Sequence, residues 1–414
     1  MTVRDAEPTP SRRAGVPGDR ITRLVVGVFL AVSTLSAGVL LFLAGRETLP
    51  WLPLAAATIG MALVAWMVRR RLAGTASEDR VVGLILLLTV VNGFVVLPES
   101  LLRSVGFRYE AGIDFAPGPE AFQRYIPDPA LFWRWDDRFR LNSLGYPEAE
   151  PQTPKSPTTF RILYLGDSCT WSSYPAVVEG LLAPVLGAQG RTIETINLAV
   201  PGYSSHQGRV LAERFGEELR PDLVVVAFGW NDHWPAFGAI DSAKVIRVDH
   251  SWGGRALSGL YQRSRSFQGL AWIVGRTQRP AAPLQQVRVP IRHFTANLVQ
   301  MGERFTKLGT PVLFMTLPTA HERFGVPPAL SAVFHLDSTA MIDLHKTYAE
   351  GVREVTEAHG WPLLDLHRSL ADHPTMRRLF SADGIHYTET GKAVLGSLVA
   401  QFIEHNLVGQ AAVP

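Results

Sequence analysis

Cysteine is almost absent from this sequence, since Cys169 is the only one in 414 residues. A lone cysteine forms no intramolecular disulfide, so the chain must be held together by its hydrophobic core. The histidines outside the motifs described below lack the paired spacing of a zinc site, and we predict neither a metal nor a cofactor. The net charge is only +3 and no lysine-rich run concentrates it, which argues against a nucleic-acid partner.

Charged side chains are missing from three long segments near the N-terminus: Leu24–Ala44, Trp51–Val68 and Val81–Leu97. Each approaches the roughly 20 apolar residues that a helix needs to cross a bilayer. Buried core helices and a cleaved signal peptide are alternatives, but three such segments in succession, joined by short charged connections, favour membrane spans. We therefore predict three transmembrane helices within residues 24–97, and the lipid bilayer as their partner.

Arginine is distributed unevenly around these segments. Positive charge next to a membrane span resists translocation and marks the cytoplasmic side. The pattern predicts a cytoplasmic tail at residues 1–23 and an extracytoplasmic location for everything after Leu97, in a multi-pass protein of the cell (inner) membrane. The arginines lie before the first segment and between the second and third: Arg12, Arg13, Arg20, Arg23, Arg69, Arg70, Arg71 and Arg80.

Proline and aromatic residues are frequent in residues 98–157, which we predict to be an extracytoplasmic connector without long regular elements. Phe132, Trp133 and Trp135 in this connector have two interpretations. They form either a sugar-stacking surface near a binding site or ordinary packing against the domain that follows.

From residue 158 to residue 408, apolar segments rich in β-branched residues alternate with helical patterns. Their nearly continuous hydrophobicity is typical of strands that are buried on both faces of a parallel sheet. The alternation predicts a three-layer α/β/α domain with a doubly wound parallel sheet of the flavodoxin-like kind. The predicted strands are Arg161–Leu165, Thr192–Val200, Leu223–Phe228, Pro311–Leu317 and Pro362–Leu366. The predicted helices are Tyr174–Leu186, Gln207–Leu219, Arg292–Lys307, Ser338–His359 and Thr388–Asn406.

Four short motifs contain the residue types that acyl transfer requires, and three of them directly follow predicted strands. They are Gly166-Asp167-Ser168, Gly202, Gly229-Trp230-Asn231-Asp232 and Asp383-Gly384-Ile385-His386. Ligand sites of doubly wound sheets lie beyond the carboxyl ends of the strands, so these motifs can meet in one crevice. A serine hydroxyl needs a nearby base, and a carboxylate close to a histidine fixes the tautomer that can accept the proton.

These motifs, in this order, resemble the SGNH or GDSL hydrolase superfamily. The resemblance implies a catalytic triad of Ser168, Asp383 and His386. It also implies an oxyanion hole made by the backbone N–H groups of Ser168 and Gly202 and by the side-chain amide of Asn231. Four motifs in family order are much more specific than one of them alone.

Four further residues beside these motifs are candidates for lining the pocket: Asp167, Trp171, Trp230 and His233. A segment at about residues 235–291 is longer than a link between a strand and a helix requires, and it contains eight Lys or Arg against two Asp. It has four alternative interpretations: a lid, a surface that binds anionic lipid, a binding site for an acidic glycan, or a solvated cap. The sequence leaves these alternatives open.

The pattern as a whole favours a membrane-anchored serine esterase. It would remove ester-linked acyl groups, acetyl or another short chain, from an extracytoplasmic carbohydrate or lipid through an acyl-enzyme. An alternative is an O-acyltransferase that modifies an envelope glycan and receives acyl groups from a separate membrane protein. A third alternative is a catalytically silent binding module, against which the presence of every catalytic residue type argues.

Overall fold

The computed structural model describes residues 97–107, 124–137, 139–171, 174–236, 239–246, 251–253, 264–278, 286–334 and 336–408. The predicted cytoplasmic tail and the three predicted spans, except Leu97, lie outside these residues. Within the described ranges, none of the helices combines the length and the hydrophobicity needed to cross a membrane. The chain divides into two compact units, one with residues 1–111 and 250–278 and the other with residues 112–249 and 279–414.

Seven strands and twelve α-helices are assigned among the described residues. The strands are β1 (Tyr125–Asp128), β2 (Phe132–Trp135), β3 (Thr159–Gly166), β4 (Thr192–Asn197), β5 (Leu223–Ala227), β6 (Val312–Met315) and β7 (Leu363–Leu364). The helices are α1 (Leu97–Ser104), α2 (Ser168–Trp171), α3 (Pro175–Ala188), α4 (Ser205–Leu219), α5 (Arg265–Gln278), α6 (Ile291–Lys307), α7 (His321–Phe324), α8 (Pro328–Phe334), α9 (Ser338–His359), α10 (Leu366–Ala371), α11 (Met376–Leu379) and α12 (Glu389–Ile403). A 3₁₀ turn, Asp241–Ala243, and a π turn, Glu404–Val408, complete the elements.

The larger unit is built on a parallel five-stranded sheet in the order β4-β3-β5-β6-β7. Every residue of β3 is buried, and successive side chains point to opposite faces. Leu163 and Leu165 join a core with α4, α6 and α9, whereas Ile162 and Tyr164 join a second core with α3 and α12. The predicted α/β fold with a parallel sheet is therefore confirmed. The strand order reverses between β3 and β5, and ligands of such sheets bind at this switch point.

The observed ends of the elements have local causes. Helix α9 begins after Asp337, whose side chain accepts a hydrogen bond from the Ala340 N–H, and it ends at Gly360 in the left-handed conformation. Strand β4 ends at Asn197, three residues before its predicted end. The Asn197 side chain accepts from the Ala199 N–H (3.1 Å) and donates to the Trp171 carbonyl (2.8 Å), so the chain begins to turn here. The Leu198 N–H still bonds the Tyr164 carbonyl of β3 at 3.0 Å.

The predicted connector at residues 98–157 is corrected in part, because much of it folds with the sheet. Strands β1 and β2 form an antiparallel pair, and their aromatic side chains belong to the same core as Leu163 and Leu165. Trp133 is fully buried, and its carbonyl accepts a hydrogen bond from the Tyr203 hydroxyl at 2.7 Å. The compact unit therefore begins before the boundary predicted at residue 158. Of the two interpretations of these aromatics, packing describes Trp133.

The predicted basic insertion at about residues 235–291 is shared between the two units. Its two ends pair with each other in the larger unit, through a bridge between Pro235 and Val287. Its middle part belongs to the smaller unit, where the Glu99 carboxylate of α1 accepts hydrogen bonds of 2.7–2.9 Å from the start of α5. The donors are the Ser264 hydroxyl and the backbone N–H groups of Arg265 and Ser266.

Candidate active site

Ser168 lies where the chain turns from β3 into α2. The Asp167 carboxylate accepts the Cys169 N–H at 2.8 Å, and the Asp167 carbonyl accepts the Thr170 N–H at 3.0 Å. Gly166 permits this tight turn because a Cβ atom there would lie 2.4 Å from the Thr170 hydroxyl oxygen. The backbone of Ser168 is thus held at the carboxyl edge of the sheet by bonds from Asp167, the residue before it, to the two residues after it.

His386 and Asp383 meet Ser168 in a continuous chain of hydrogen bonds. The Asp383 carboxylate accepts the Ile385 and His386 backbone N–H groups at 2.9 and 3.0 Å, and its second oxygen lies 2.6 Å from His386 Nδ1. His386 Nε2 lies 2.8 Å from Ser168 Oγ. The His386 and Asp383 side chains are 45% and 40% exposed, so a bulky substrate can reach them.

The charges in this chain of bonds follow from its partners. Burial raises the pKa of Asp383, but the bonds from the His386 imidazole and two backbone N–H groups outweigh it and bring the pKa down to about 2. The bond to Asp383 raises the pKa of His386 despite partial burial. An ionised carboxylate only accepts, so Nδ1 carries the proton and Nε2 is free to accept from the Ser168 hydroxyl.

Asn231 is joined to the serine turn through a buried carboxylate. Asn231 Nδ2 donates to Asp167 at 2.9 Å, and Asp167 has no solvent exposure. Burial raises the pKa of Asp167 to about 6, although the bond from the Cys169 N–H opposes this rise. One N–H of the Asn231 amide is held by Asp167, so the second has a defined direction.

Gly202, the other predicted contributor to an oxyanion hole, follows β4 with a φ of 84°, in the region that favours glycine. Its support comes from two residues that the sequence analysis did not identify as functional. Arg288 donates to the Gly202 carbonyl at 2.7 Å and pairs with Asp241 at 2.9 Å, and both side chains are almost fully buried. The two residues come from opposite ends of the basic insertion, and no sequence pattern connects them.

The candidate pocket residues have different environments. Asp167, Trp230 and His233 are at most 3% exposed, so they form part of the protein interior and do not line an open pocket. Trp171 keeps partial exposure and packs against Trp135 with ring centroids 5.4 Å apart. The three residues are buried because strands β3 and β5, which precede them, are covered on both faces.

Two further observations concern the single cysteine and possible metal ligands. Cys169 is buried, and its burial raises the pKa of the thiol well above the usual range, as expected for a small core residue. In the part of the chain that the structure describes, no group of three or more His, Cys, Asp or Glu residues is arranged to hold a metal ion.

One protein family and several solved structures are similar to this chain. The model of the GDSL-like lipase/acylhydrolase family matches residues 164–394, more than half of the chain, and the chain belongs to this family. No curated protein matches the sequence.

Several solved structures are similar to the chain. A lipase/acylhydrolase from Enterococcus faecalis is 20% identical and has a TM-score of 0.38, over 59% of this chain and 95% of that one. A catalytic mutant of an acetylxylan esterase from Geobacillus stearothermophilus is 16% identical with a TM-score of 0.36, over 59% and 93%. A GDSL-like lipase from Bacteroides thetaiotaomicron is 14% identical with a TM-score of 0.37, over 60% and 89%.

The bond between Asp383 and His386 predicts the titration of the imidazole. In protein labelled with ¹³C-histidine, the signal that disappears in His386→Gln should titrate above the usual value of about 6.5. Asp383→Asn should lower this pKa, because it removes the negative charge that stabilises the imidazolium. Asp372→Asn, which changes an exposed carboxylate, should leave the titration unchanged. An unaltered His386 titration in Asp383→Asn would contradict the assigned pairing.

Proposed function

We propose that this chain is a serine esterase that removes acetyl or another short acyl group through an acyl-enzyme. The observation that carries the proposal is the hydrogen-bonded chain from Ser168 Oγ through His386 to Asp383, with distances of 2.8 and 2.6 Å. The partial exposure of His386 and Asp383 supports a shallow site that is open to an ester on a bulky carbohydrate or lipid.

In the first half of the reaction, Ser168 Oγ attacks the acyl carbonyl while its proton passes to His386 Nε2. The negative charge that forms on the carbonyl oxygen is stabilised by the Ser168 and Gly202 N–H groups and by the Asn231 amide. When the tetrahedral intermediate collapses, the C–O bond to the leaving alcohol breaks, and His386 returns the proton to that alcohol. The acyl group is then an ester of Ser168.

In the second half, water attacks the acyl-enzyme and His386 accepts one of its protons. Collapse of the second tetrahedral intermediate releases the carboxylic acid and returns a proton to Ser168 Oγ. Asp383 remains ionised throughout, because its low pKa favours stabilisation of the imidazolium over accepting the proton.

Substitution of the nucleophile gives the direct test of the proposal. The full chain should react covalently with a fluorophosphonate probe and hydrolyse nitrophenyl acetate, and Ser168→Ala should abolish labelling and lower turnover by roughly 10⁴-fold or more. Ser397→Ala is the matched control, because this serine on α12 donates to the Ala393 carbonyl of its own helix at 2.9 Å. Undiminished labelling of Ser168→Ala would refute the assignment of the nucleophile.

O-acyl transfer is the alternative that the same geometry supports. The acyl-enzyme is common to both reactions, and the exposed His386 can deprotonate a sugar hydroxyl as well as water. Transfer would require a separate membrane protein to supply acyl groups to the site. The esterase needs no such partner, and for this reason we favour hydrolysis.

Partition of the acyl group between water and sugar separates the two activities. For an esterase, addition of oligosaccharide acceptors to the nitrophenyl acetate reaction should leave free acetate as the main product, measured by mass spectrometry. An acetylated oligosaccharide as the main product would overturn hydrolysis in favour of transfer. Acceptor without enzyme, and acceptor with Ser168→Ala, control for uncatalysed transfer.

We further propose that the enzyme is anchored in the cell membrane by its N-terminal segments and acts outside the cytoplasm. The support is the run of three uncharged segments and the position of the arginines around them. A reporter that is active only outside the cytoplasm should therefore be active when fused after Pro414. Activity of a cytoplasm-dependent reporter at the same position would reverse the proposed orientation.

A further inference from the structure

The loop that contains Asp383 and His386 is held by the segment that follows β6. The Asp383 carbonyl oxygen lies 2.6 Å from His321 Nε2. The next carbonyl, that of Gly384, accepts the Ala320 N–H at 3.0 Å and the Thr319 hydroxyl at 3.2 Å. Three donors from consecutive residues thus fix two consecutive carbonyl groups of the catalytic loop.

Gly384 and His321 fit against each other closely. Gly384 has a φ of 72°, and a Cβ atom at this position would lie 2.5 Å from His321 Cδ2 and 2.6 Å from His321 Nε2. Only glycine combines this backbone conformation with space for the imidazole. The His321 ring therefore packs directly against the peptide group that links Asp383 to Gly384.

His321 is itself held in place by buried aromatic side chains. Its ring meets the Trp230 ring edge to face, with centroids 5.3 Å apart and an interplanar angle of 84°. The Trp230 ring also stacks on the His345 ring, with centroids 4.2 Å apart. His345 Nε2 in turn lies 2.9 Å from the Leu317 carbonyl, at the start of the same segment that contains His321.

The hydrogen bonds define the tautomers of this cluster. The Leu317 carbonyl only accepts, so His345 carries its proton on Nε2, and its Nδ1 accepts from His233 Nε2 at 3.0 Å. Burial lowers the pKa of His233 to about 3 and also lowers the pKa values of His345 and His321. All three imidazoles are therefore neutral at neutral pH.

We propose that His321 is a positioning residue for the reaction, because its N–H bond to the Asp383 carbonyl sets the orientation in which the Asp383 carboxylate meets His386. This inference rests on the proposed function. Neutrality of the donor matters, since an imidazolium forms on His386 during each half-reaction and a nearby cation would oppose it. A neutral N–H group fixes the loop without that electrostatic cost.

Two substitutions of His321 separate the hydrogen bond from the space that the ring fills. His321→Leu removes the donor, and kcat for nitrophenyl acetate should fall by about 10- to 100-fold, the effect of misplacing a catalytic group, while KM changes little. His321→Gln keeps a neutral N–H group near the position of Nε2 and should recover most of kcat. Equal losses of kcat in the two variants would show that the N–H donor of His321 does not determine kcat.

The titration of His386 gives a second readout that a merely structural residue would not move. Asp383 and Asp167 are the charged groups that raise the His386 pKa. In His321→Leu, looser contact with Asp383 should shift the His386 signal to a lower pKa, whereas His321→Gln should keep it near the parent value. Thr319→Val removes a donor to the Gly384 carbonyl and keeps the side-chain shape, and it should shift the His386 pKa in the same direction. This variant provides the test if His321→Leu does not fold.

His359→Leu is the matched control. His359 also bonds a backbone carbonyl, that of Val355 at 2.9 Å, and stacks on a tryptophan, Trp361 at 4.4 Å, but it lies at the end of α9 before β7. This variant should keep the kcat and the His386 titration of the parent. A folded His321→Leu with parental kcat and a parental His386 pKa would overturn the inference.

The two readouts also separate this inference from the proposed function. If the parent chain hydrolyses no ester and takes no fluorophosphonate, the proposed function fails. The His386 titration needs no turnover, so it still decides whether His321 orients Asp383. If the parent is active and the titrations of His321→Leu and Thr319→Val equal the parent's, only the inference fails.

Discussion

The carboxylate of Asp167 is the constraint on which the arrangement of the site depends. It is fully buried and uses its two oxygens for two motifs that are far apart in the chain, the serine turn through Cys169 and the proposed oxyanion donor Asn231. Burial of an unpaired carboxylate costs several kcal/mol, and these two bonds offset part of that cost. Because Asp167 immediately precedes Ser168, this bond couples the position of Asn231 to that of the proposed nucleophile.

Local signals in the sequence predicted the parts of the molecule that depend on neighbours in the chain. Buried parallel strands have continuous apolar patterns, so β3 and β5 were predicted nearly to their ends, and Asp337 and Gly360 mark the limits of α9. The relative position of Asp383 and His386 is likewise set locally, because only two residues separate them in the chain. The same reasoning overestimated β4, because the apolar residues Leu198, Ala199 and Val200 continue its pattern beyond the end of the strand at Asn197.

Contacts between distant segments could not be predicted in this way. Arg288 and Asp241 form a buried ion pair that holds the Gly202 carbonyl, yet both lie in the basic insertion, for which none of the four interpretations from the sequence includes a buried ion pair. For the aromatic residues of β2 the sequence offered packing against the following domain as one of two interpretations, but it did not identify their partners in the core of the sheet. A single sequence records which residues are apolar or charged, but the partner of each is set by the way the chain folds back.

The residues that support the two sides of the site differ in charge, in a way that suits the proposed acyl transfer. On the side of the proposed oxyanion hole, the cation Arg288 donates to the Gly202 carbonyl, which belongs to the peptide group after the one that contains the Gly202 N–H, and its charge is balanced by Asp241. On the base side, the supporting donor is a neutral imidazole, backed by further neutral histidines and Trp230. An unbalanced cation next to His386 would lower the pKa that the Asp383 carboxylate raises, and so weaken the base. The Asp383 carboxylate is thus the main group that raises the pKa of His386, with Asp167 adding to it, and the residues that hold Asp383 in position are uncharged.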